Sequence, residues 1–248
     1  MDILVIGDSC TDNYIYGTCN RLAPEGPIPV FMPLKEETNG GMARNVYDNL
    51  VSLGKQCTVI TNPENITKTR YVEHRTNHIL LRVDSHERIV NRIEDIESIP
   101  FENYSAIVIS DYDHGFLTEE DIEYISNKAK CTTFLDTKKR LGKWCHGIDF
   151  IKINQFEYEN TKETVTQEFQ QKLIVTLSDK GCIYANKYFP VEAVEVKDMT
   201  GAGDTFLSGF VSEYLKTNNV ESAINKANEY ATIIVQHKGV NVVGEFLW

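Results

Sequence analysis

Apolar residues cluster in short runs, unbroken at residues 3–6 and 106–109 and with one polar residue each at 133–135, 150–153 and 173–177. Runs of that length bounded by polar residues predict strands buried on both faces, as in the middle of a parallel sheet. Residues 57–61 predict one more strand, broken by Asn62-Pro63-Glu64-Asn65. Between these runs the period changes to that of a helix. Ala43, Val46, Leu50 and Leu53 share one face, with Gly54 as a stop, and Gly40-Gly41-Met42-Ala43-Arg44-Asn45 opens that helix. Thr118-Glu119-Glu120-Asp121 reads as a capping box ahead of Ile122 and Ile125. Leu207, Phe210, Val211 and Tyr214 predict a buried helix beginning near Ala202. Ile224, Ala227, Ala231 and Ile234 predict a last one, stopped at His237-Lys238-Gly239. Strand and helix in alternation predict a doubly wound α/β sheet.

Two regions break that rhythm. Tyr14, Tyr16, Val30 and Met32 alternate among prolines at 24, 27, 29 and 33, which predicts short edge-like strands and turns. Residues 67–73 and 79–83 predict a hairpin through Thr76-Asn77, in one small sheet with the 14–34 region. Residues 182–185 and 191–196 predict antiparallel edge strands.

Polar residues follow the buried runs: Gly7-Asp8, Ser110-Asp111-Tyr112, Asp136-Thr137-Lys138, Asn154-Gln155-Phe156-Glu157 and Ser178-Asp179-Lys180-Gly181. Open α/β sheets bind ligands beyond their strand C-termini, so Asp8 and Asp12 fall where a polar substrate can sit. The helix near Ala202 opens from Asp198-Met199-Thr200-Gly201-Ala202-Gly203-Asp204. Its glycines admit close backbone approach, and its first free N–H groups can face an anion. Asp204 lies in the same turn, able to take a proton from a hydroxyl beside that anion. A phosphate cradle with a carboxylate inside it points to phosphoryl transfer to an alcohol. Asn45, after Gly40-Gly41, can donate and accept toward hydroxyls. The same spacings also fit an ordinary turn, a capping loop and an acid beside a helix dipole, and spacing alone leaves both readings open.

Composition narrows the classes. The chain has 248 residues and 42% hydrophobic content, enough for one α/β domain with a small lid. Its net charge of −11 disfavours nucleic acid as a partner. Local cations, Lys138-Lys139-Arg140 and the set Lys68, Arg70, Arg75 and Arg82, still suffice for a phosphorylated metabolite. No apolar run approaches the ~18 residues that span a bilayer, so no membrane role is expected. The chain enters its first strand at Ile3 without a basic leader, and its six cysteines form no C-x-x-C pair. Both features predict a cytoplasmic protein with reduced thiols. Walker-A, G-x-G-x-x-G, H-E-x-x-H and G-x-S-x-G patterns do not occur.

Asp198-x-Thr200-Gly201-Ala202-Gly203-Asp204 resembles the C-terminal signature of the ribokinase-like carbohydrate kinases. Gly40-Gly41 with Asn45 resembles that family's N-terminal signature, and Asn154-x-x-Glu157 its motif near metal and phosphates. These motifs stand in the family's order and span most of the chain. Gly7-Asp8 with Asp12, then residues 21–30 (Arg-Leu-Ala-Pro-Glu-Gly-Pro-Ile-Pro-Val), is similar more narrowly to the kinase domain of bacterial heptose 7-phosphate kinases. Ser110-Asp111-Tyr112 and Thr67-Lys68-x-Arg70 are also similar to stretches of those enzymes.

The resemblance implies a ribokinase-like doubly wound central sheet flanked by helices, in one domain over 1–248. A small β-sheet lid would come from about 13–35 and 66–84. The implied activity is ATP-dependent transfer to a hydroxyl of a sugar or sugar phosphate, foremost heptose 7-phosphate giving the 1,7-bisphosphate. Another sugar, a nucleoside or an inactive binding homologue are the alternatives. Asp204 would be the general base, and the amides of Gly201, Ala202 and Gly203 would hold the transferred group. Glu157 and Asn154 would organise Mg2+ through water. Ser178, Gly181 and Thr200 would contact the nucleotide, with Asn228 and Gly239 near its adenine. Asp12, Gly40, Gly41 and Asn45 would hold acceptor hydroxyls. Arg21, Lys68, Arg70 and Lys138 are the candidates to pair with an acceptor phosphate. A homodimer through the lid is implied as well. The chain departs from those kinases in a shorter segment between Gly54 and Thr67 and in Asp136-Thr137-Lys138 for Asp-Pro-Lys. It ends soon after residues 235–243, without the usual last helix or a nucleotidyl-transferase domain. A minimised kinase is expected.

Overall fold

The computed structural model describes residues 2–85 and 90–247, so Met1, residues 86–89 and Trp248 of the expected 1–248 domain lie outside the description. In chain order the strands are β1 (Asp2–Gly7), β2 (Ser9–Thr18), β3 (Met32–Met42), β4 (Gln56–Thr61), β5 (Thr67–Glu73), β6 (Ile79–Ser85), β7 (Ala106–Asp111), β8 (Thr132–Thr137), β9 (Phe150–Asn154), β10 (Leu173–Thr176), β11 (Cys182–Tyr184) and β12 (Lys187–Phe189). The helices are α1 (Ala43–Ser52), α2 (Glu119–Lys128), α3 (Gln155–Thr161), α4 (Gln167–Gln170), α5 (Ala202–Thr217) and α6 (Val220–Ile234).

An eight-stranded sheet runs in the order β12-β11-β10-β9-β8-β7-β1-β4. It is parallel from β10 to β4, with β11 and β12 antiparallel at one edge. Successive side chains of a strand point to opposite faces. Leu4, Ile6, Ile107, Ile109 and Leu135 therefore pack one way, with Ile122 and Ile125 of α2. Ile3, Val5, Val108 and Phe134 pack the other way, against α1, α5 and α6. Two apolar faces on one sheet make it doubly wound. Phe134 and Phe150 stack at 5.6 Å and meet Phe210 of α5 edge-on at 5.9 and 5.2 Å. That aromatic packing fixes the axis of α5 against the sheet.

A second sheet, β3-β2-β5-β6, carries the region of alternating polarity. Its strands are longer than expected, because the prolines at 24, 27 and 29 fall in the turn between β2 and β3, while Pro33 lies on the edge strand β3, where a missing N–H is tolerated. The helix expected to open within residues 40–45 starts at Ala43, as α1. Gly40 and Gly41 end β3, paired with Thr11 and Cys10. Residues 191–196 form no strand either. The ladder stops at Phe189 because Pro190 has no N–H to continue it, and β12 is the 187–189 run instead.

Candidate active site

Asp204 sits in the first turn of α5, whose N-cap Gly201 adopts the left-handed conformation, φ 80°. The carboxylate is 5% exposed and held from two sides. Asn45 Nδ2 donates to Oδ2 at 2.8 Å, and the Tyr112 hydroxyl donates to Oδ1 at 2.8 Å. Asn45 is itself oriented one turn along α1. Asn49 Nδ2 donates to its Oδ1 at 3.0 Å, and Asn49 Oδ1 accepts from the Val243 amide at 3.0 Å. The amide of Asn45 therefore presents its N–H side to Asp204. Burial pushes the Asp204 carboxyl up to about 6, with Asp136 acting in the same direction and the Asn45, Tyr112 and Lys152 contacts against it. A carboxylate tuned toward neutrality suits a general base.

Beside Asp204 opens a cleft of about 660 Å³. Ala202 and Gly203 line it, so the positive end of α5 faces that space. The Ala202 amide already donates to the Met199 carbonyl at 3.2 Å, which leaves the Gly203 amide to open on the cleft. Asn154, Ser178, Gly181 and Asn228 all line it, and so does the 191–196 segment that follows Pro190. Thr200 and Gly239 do not join them among the cleft-lining residues. Both bond Asp198: the Thr200 amide and hydroxyl reach Oδ1 at 2.9 and 2.7 Å, and the Gly239 amide reaches Oδ2 at 3.1 Å. Asp198 thereby pins the turn that leads into α5.

Four charges meet at one wall of the cleft. Lys152 Nζ lies 2.7 Å from Asp136 Oδ2, and Lys138 Nζ lies 2.5 Å from Glu157 Oε1 and 3.8 Å from Asp136 Oδ1. Burial alone would raise the Asp136 carboxyl, yet Lys152 and Lys138 hold it below its ordinary value. Glu157 and Asn154 form a reciprocal capping box at the start of α3. Among the described residues no group of three or more His, Cys, Asp or Glu side chains gathers as a metal cage. An ion arriving with a nucleotide would be held here by Glu157 through water, as hard cations permit.

The second sheet carries the residues expected on the acceptor side. Asp12 on β2 is ion-paired with Arg70 on β5, both nearly buried, and the Arg70 guanidinium lies 5.0 Å from the centre of the Tyr14 ring. Arg70 is thus occupied by Asp12 rather than presented to a ligand. A Cβ on Gly41 would stand 2.3 Å from Asp12 Oδ2, so only glycine allows this carboxylate to lie on the β3 backbone. Lys68 is the register partner of Asp12 across β5, and Arg21 is exposed on the turn between β2 and β3. Lys138, expected near an acceptor phosphate, stands instead in the cleft on Glu157. Asp8 does not face a substrate. It accepts from the amides of Tyr112 at 2.7 Å and Phe116 at 3.3 Å, fixing the loop that carries Tyr112.

Tyr112, Asp136, Lys152 and Asn49 had no expected role. Strand parity carried a signal for Lys152. In Phe150-Ile-Lys-Ile it shares the face of Phe150, which packs on Phe210 of α5, so its ammonium runs toward the start of that helix.

A profile of the pfkB family carbohydrate kinases matches residues 76–244. The bifunctional protein HldE of a Nitratiruptor species is 29% identical over 293 residues, covering 96% of this chain and 62% of that protein. HldE of Campylobacter jejuni is 29% identical over 290 residues, covering 96% and 61%. The chain thus spans about three fifths of the length of these relatives. Among solved structures, ribokinase from Thermotoga maritima superposes with a TM-score of 0.70 at 17% identity, covering 96% of this chain and 94% of that one. Arabidopsis thaliana ribokinase complexed with ribose and ATP gives 0.67 at 16% identity, covering 97% and 94%. The doubly wound sheet with its smaller partner sheet is the ribokinase fold.

Proposed function

Since this chain belongs to the pfkB family of carbohydrate kinases, we propose that it transfers the γ-phosphoryl group of ATP to a sugar hydroxyl, with Asp204 as the base. The observation that carries this is the position of Asp204. It stands where the positive end of α5, the 660 Å³ cleft and the Asn45 amide come together. Acceptor oxygen attacks the γ-phosphorus as its proton passes to Asp204. Gly203 contributes an amide to the group in transit. ATP occupies the cleft past Asn154, Ser178, Gly181 and Asn228, and Glu157 would hold its Mg2+ through water. The second sheet acts as a lid that keeps water from competing as acceptor.

The acceptor we propose is heptose 7-phosphate, giving the 1,7-bisphosphate. Support comes from the resemblance of residues 21–30 to heptose 7-phosphate kinases, and from the place of Lys68 in register with Asp12. Coupled ADP assays with heptose 7-phosphate, ribose, fructose and a nucleoside test it. Heptose 7-phosphate should give kcat/KM at least about 10²-fold above the rest, the scale on which unpaired charges in a site discriminate. Equal turnover of ribose or a nucleoside would replace it with that acceptor.

The base sets a pH dependence. Proton abstraction needs Asp204 ionised, so kcat/KM for a non-phosphorylated acceptor should fall as pH drops through about 6 and level off above it. An acid limb near 4, the range of an ordinary carboxylate, would remove the assignment.

We also propose a homodimer through the lid. Leu22, Ile28, Leu34, Ile79 and Leu81 stand more than half exposed there, and apolar surface of this kind marks an association face. Light scattering should give twice the 28.3 kDa chain mass, and a monomer at micromolar concentration would count against it.

A further inference from the structure

Lys152 is a buried cation set against the opening of α5. It is 5% exposed in the middle of β9, flanked by Ile151 and Ile153, which belong to the core on the other face of the sheet. Its Nζ stands 2.9 Å from the point where a Cβ on Gly203 would lie. The missing side chain of Gly203 is what admits the ammonium to the first turn of the helix. Asp136, at 2.7 Å, is its one hydrogen-bond partner among the described residues. An ammonium has three N–H donors, so two remain on the cleft side, where Lys152 and Gly203 are both lining residues.

Burying a lysine is costly unless it is paired, and one carboxylate shared with a second lysine is a lean pairing. Lys138 draws on the same Asp136 from 3.8 Å while resting on Glu157. An arriving anion would complete this arrangement. We infer that Lys152 is a catalytic residue, donating to a non-bridging oxygen of the phosphoryl group in flight, alongside the Gly203 amide, while Asp136 holds it in position. The inference rests on the kinase reading above. The acceptor oxygen bonds to the γ-phosphorus as the bond from that phosphorus to the β,γ-bridging oxygen breaks. ADP leaves with that electron pair, Asp204 takes the acceptor proton, and Lys152 keeps its own. Its contribution is charge placed where the three equatorial oxygens gather it, from a side chain only 5% exposed.

Lys152→Met alone leaves Asp136 buried with only the more distant Lys138, and such a variant can fail to fold. The double variant Lys152→Met/Asp136→Asn removes both charges and keeps the volume. With ATP and heptose 7-phosphate, or the best acceptor of the panel, it should lose kcat by ~10²–10³-fold while both KM values stay within about threefold. Calorimetry should give unchanged ADP affinity. Its affinity for ADP with aluminium fluoride, which mimics the group in transit, should fall by ~10²-fold. A double variant with kcat within about threefold of the parent, or one whose ADP affinity falls as far as its kcat, overturns the role of Lys152 and leaves the kinase reading standing. A parent chain that forms no ADP with any acceptor overturns both.

Discussion

Asp204→Asn should fold, bind ATP as the parent does, and lose phosphoryl transfer by at least about 10²-fold, the lower end of what positioned general bases contribute. The variant is close to isosteric. Asn45 can still donate to the remaining oxygen, and the Tyr112 hydroxyl can turn from donor to acceptor for the new amide N–H. What is lost is the lone pair proposed to take the acceptor proton. Stability should move the other way. The folded carboxyl lies at about 6, above its ordinary value of 3.8, so the fold favours the protonated form. The cost of holding it ionised is absent below pH 3.8, grows between 3.8 and about 6, and stays at about 3 kcal/mol above that. At pH 7 the neutral amide escapes this cost, so thermal unfolding should come no lower than in the parent. A variant that melts earlier and also loses ATP binding would mean that Asp204 holds the fold together rather than serving as the base.

Asp12→Ala should be among the most destabilising single changes on the acceptor side. It strands the Arg70 guanidinium, which is 7% exposed and lies against the Tyr14 ring, without its carboxylate. Breaking one side of a buried ion pair costs about 3–5 kcal/mol. Asp12→Ala/Arg70→Met, which replaces the pair by apolar groups, should recover most of that in urea unfolding. It should not recover acceptor KM, because the double variant still lacks the carboxylate that would meet acceptor hydroxyls. A single variant that loses under about 1 kcal/mol would place this pair in solvent, at the level of surface ion pairs.

The core and the reaction turn were legible because each rests on a local rule. Buried strands of period two and helices of period 3.6 gave the α/β alternation directly, and Thr118 and Asp121 form the reciprocal cap that their spacing predicts. Gly201 to Asp204 stood at a helix start, as glycine and a first-turn acid suggest. What local rules missed was set by distant partners. Gly40 and Gly41 gave no sign of ending a strand, because their pairing with Thr11 and Cys10 comes from about thirty positions back along the chain. Arg70 and Lys138 looked alike as cations until the fold gave one to Asp12 and the other to Glu157. Gly239 reaches Asp198 from beyond α5 and α6, a meeting no spacing encodes, while Thr200 bonds the same carboxylate from two positions away. Tyr112 reaches Asp204 only because Asp8 ties down its loop.

In the reaction proposed for this cleft, a phosphoryl group moves from ATP to a sugar hydroxyl held at Asp204. The direct measurement is ADP formation with magnesium and ATP, with and without the acceptor panel, in the parent and in Asp204→Asn. ADP should form at least about 10²-fold faster with an acceptor than without, matched mole for mole by phosphosugar, and the variant should abolish that increment. ADP formation that ignores every acceptor, or an acceptor-dependent rate that survives Asp204→Asn unchanged, would contradict it.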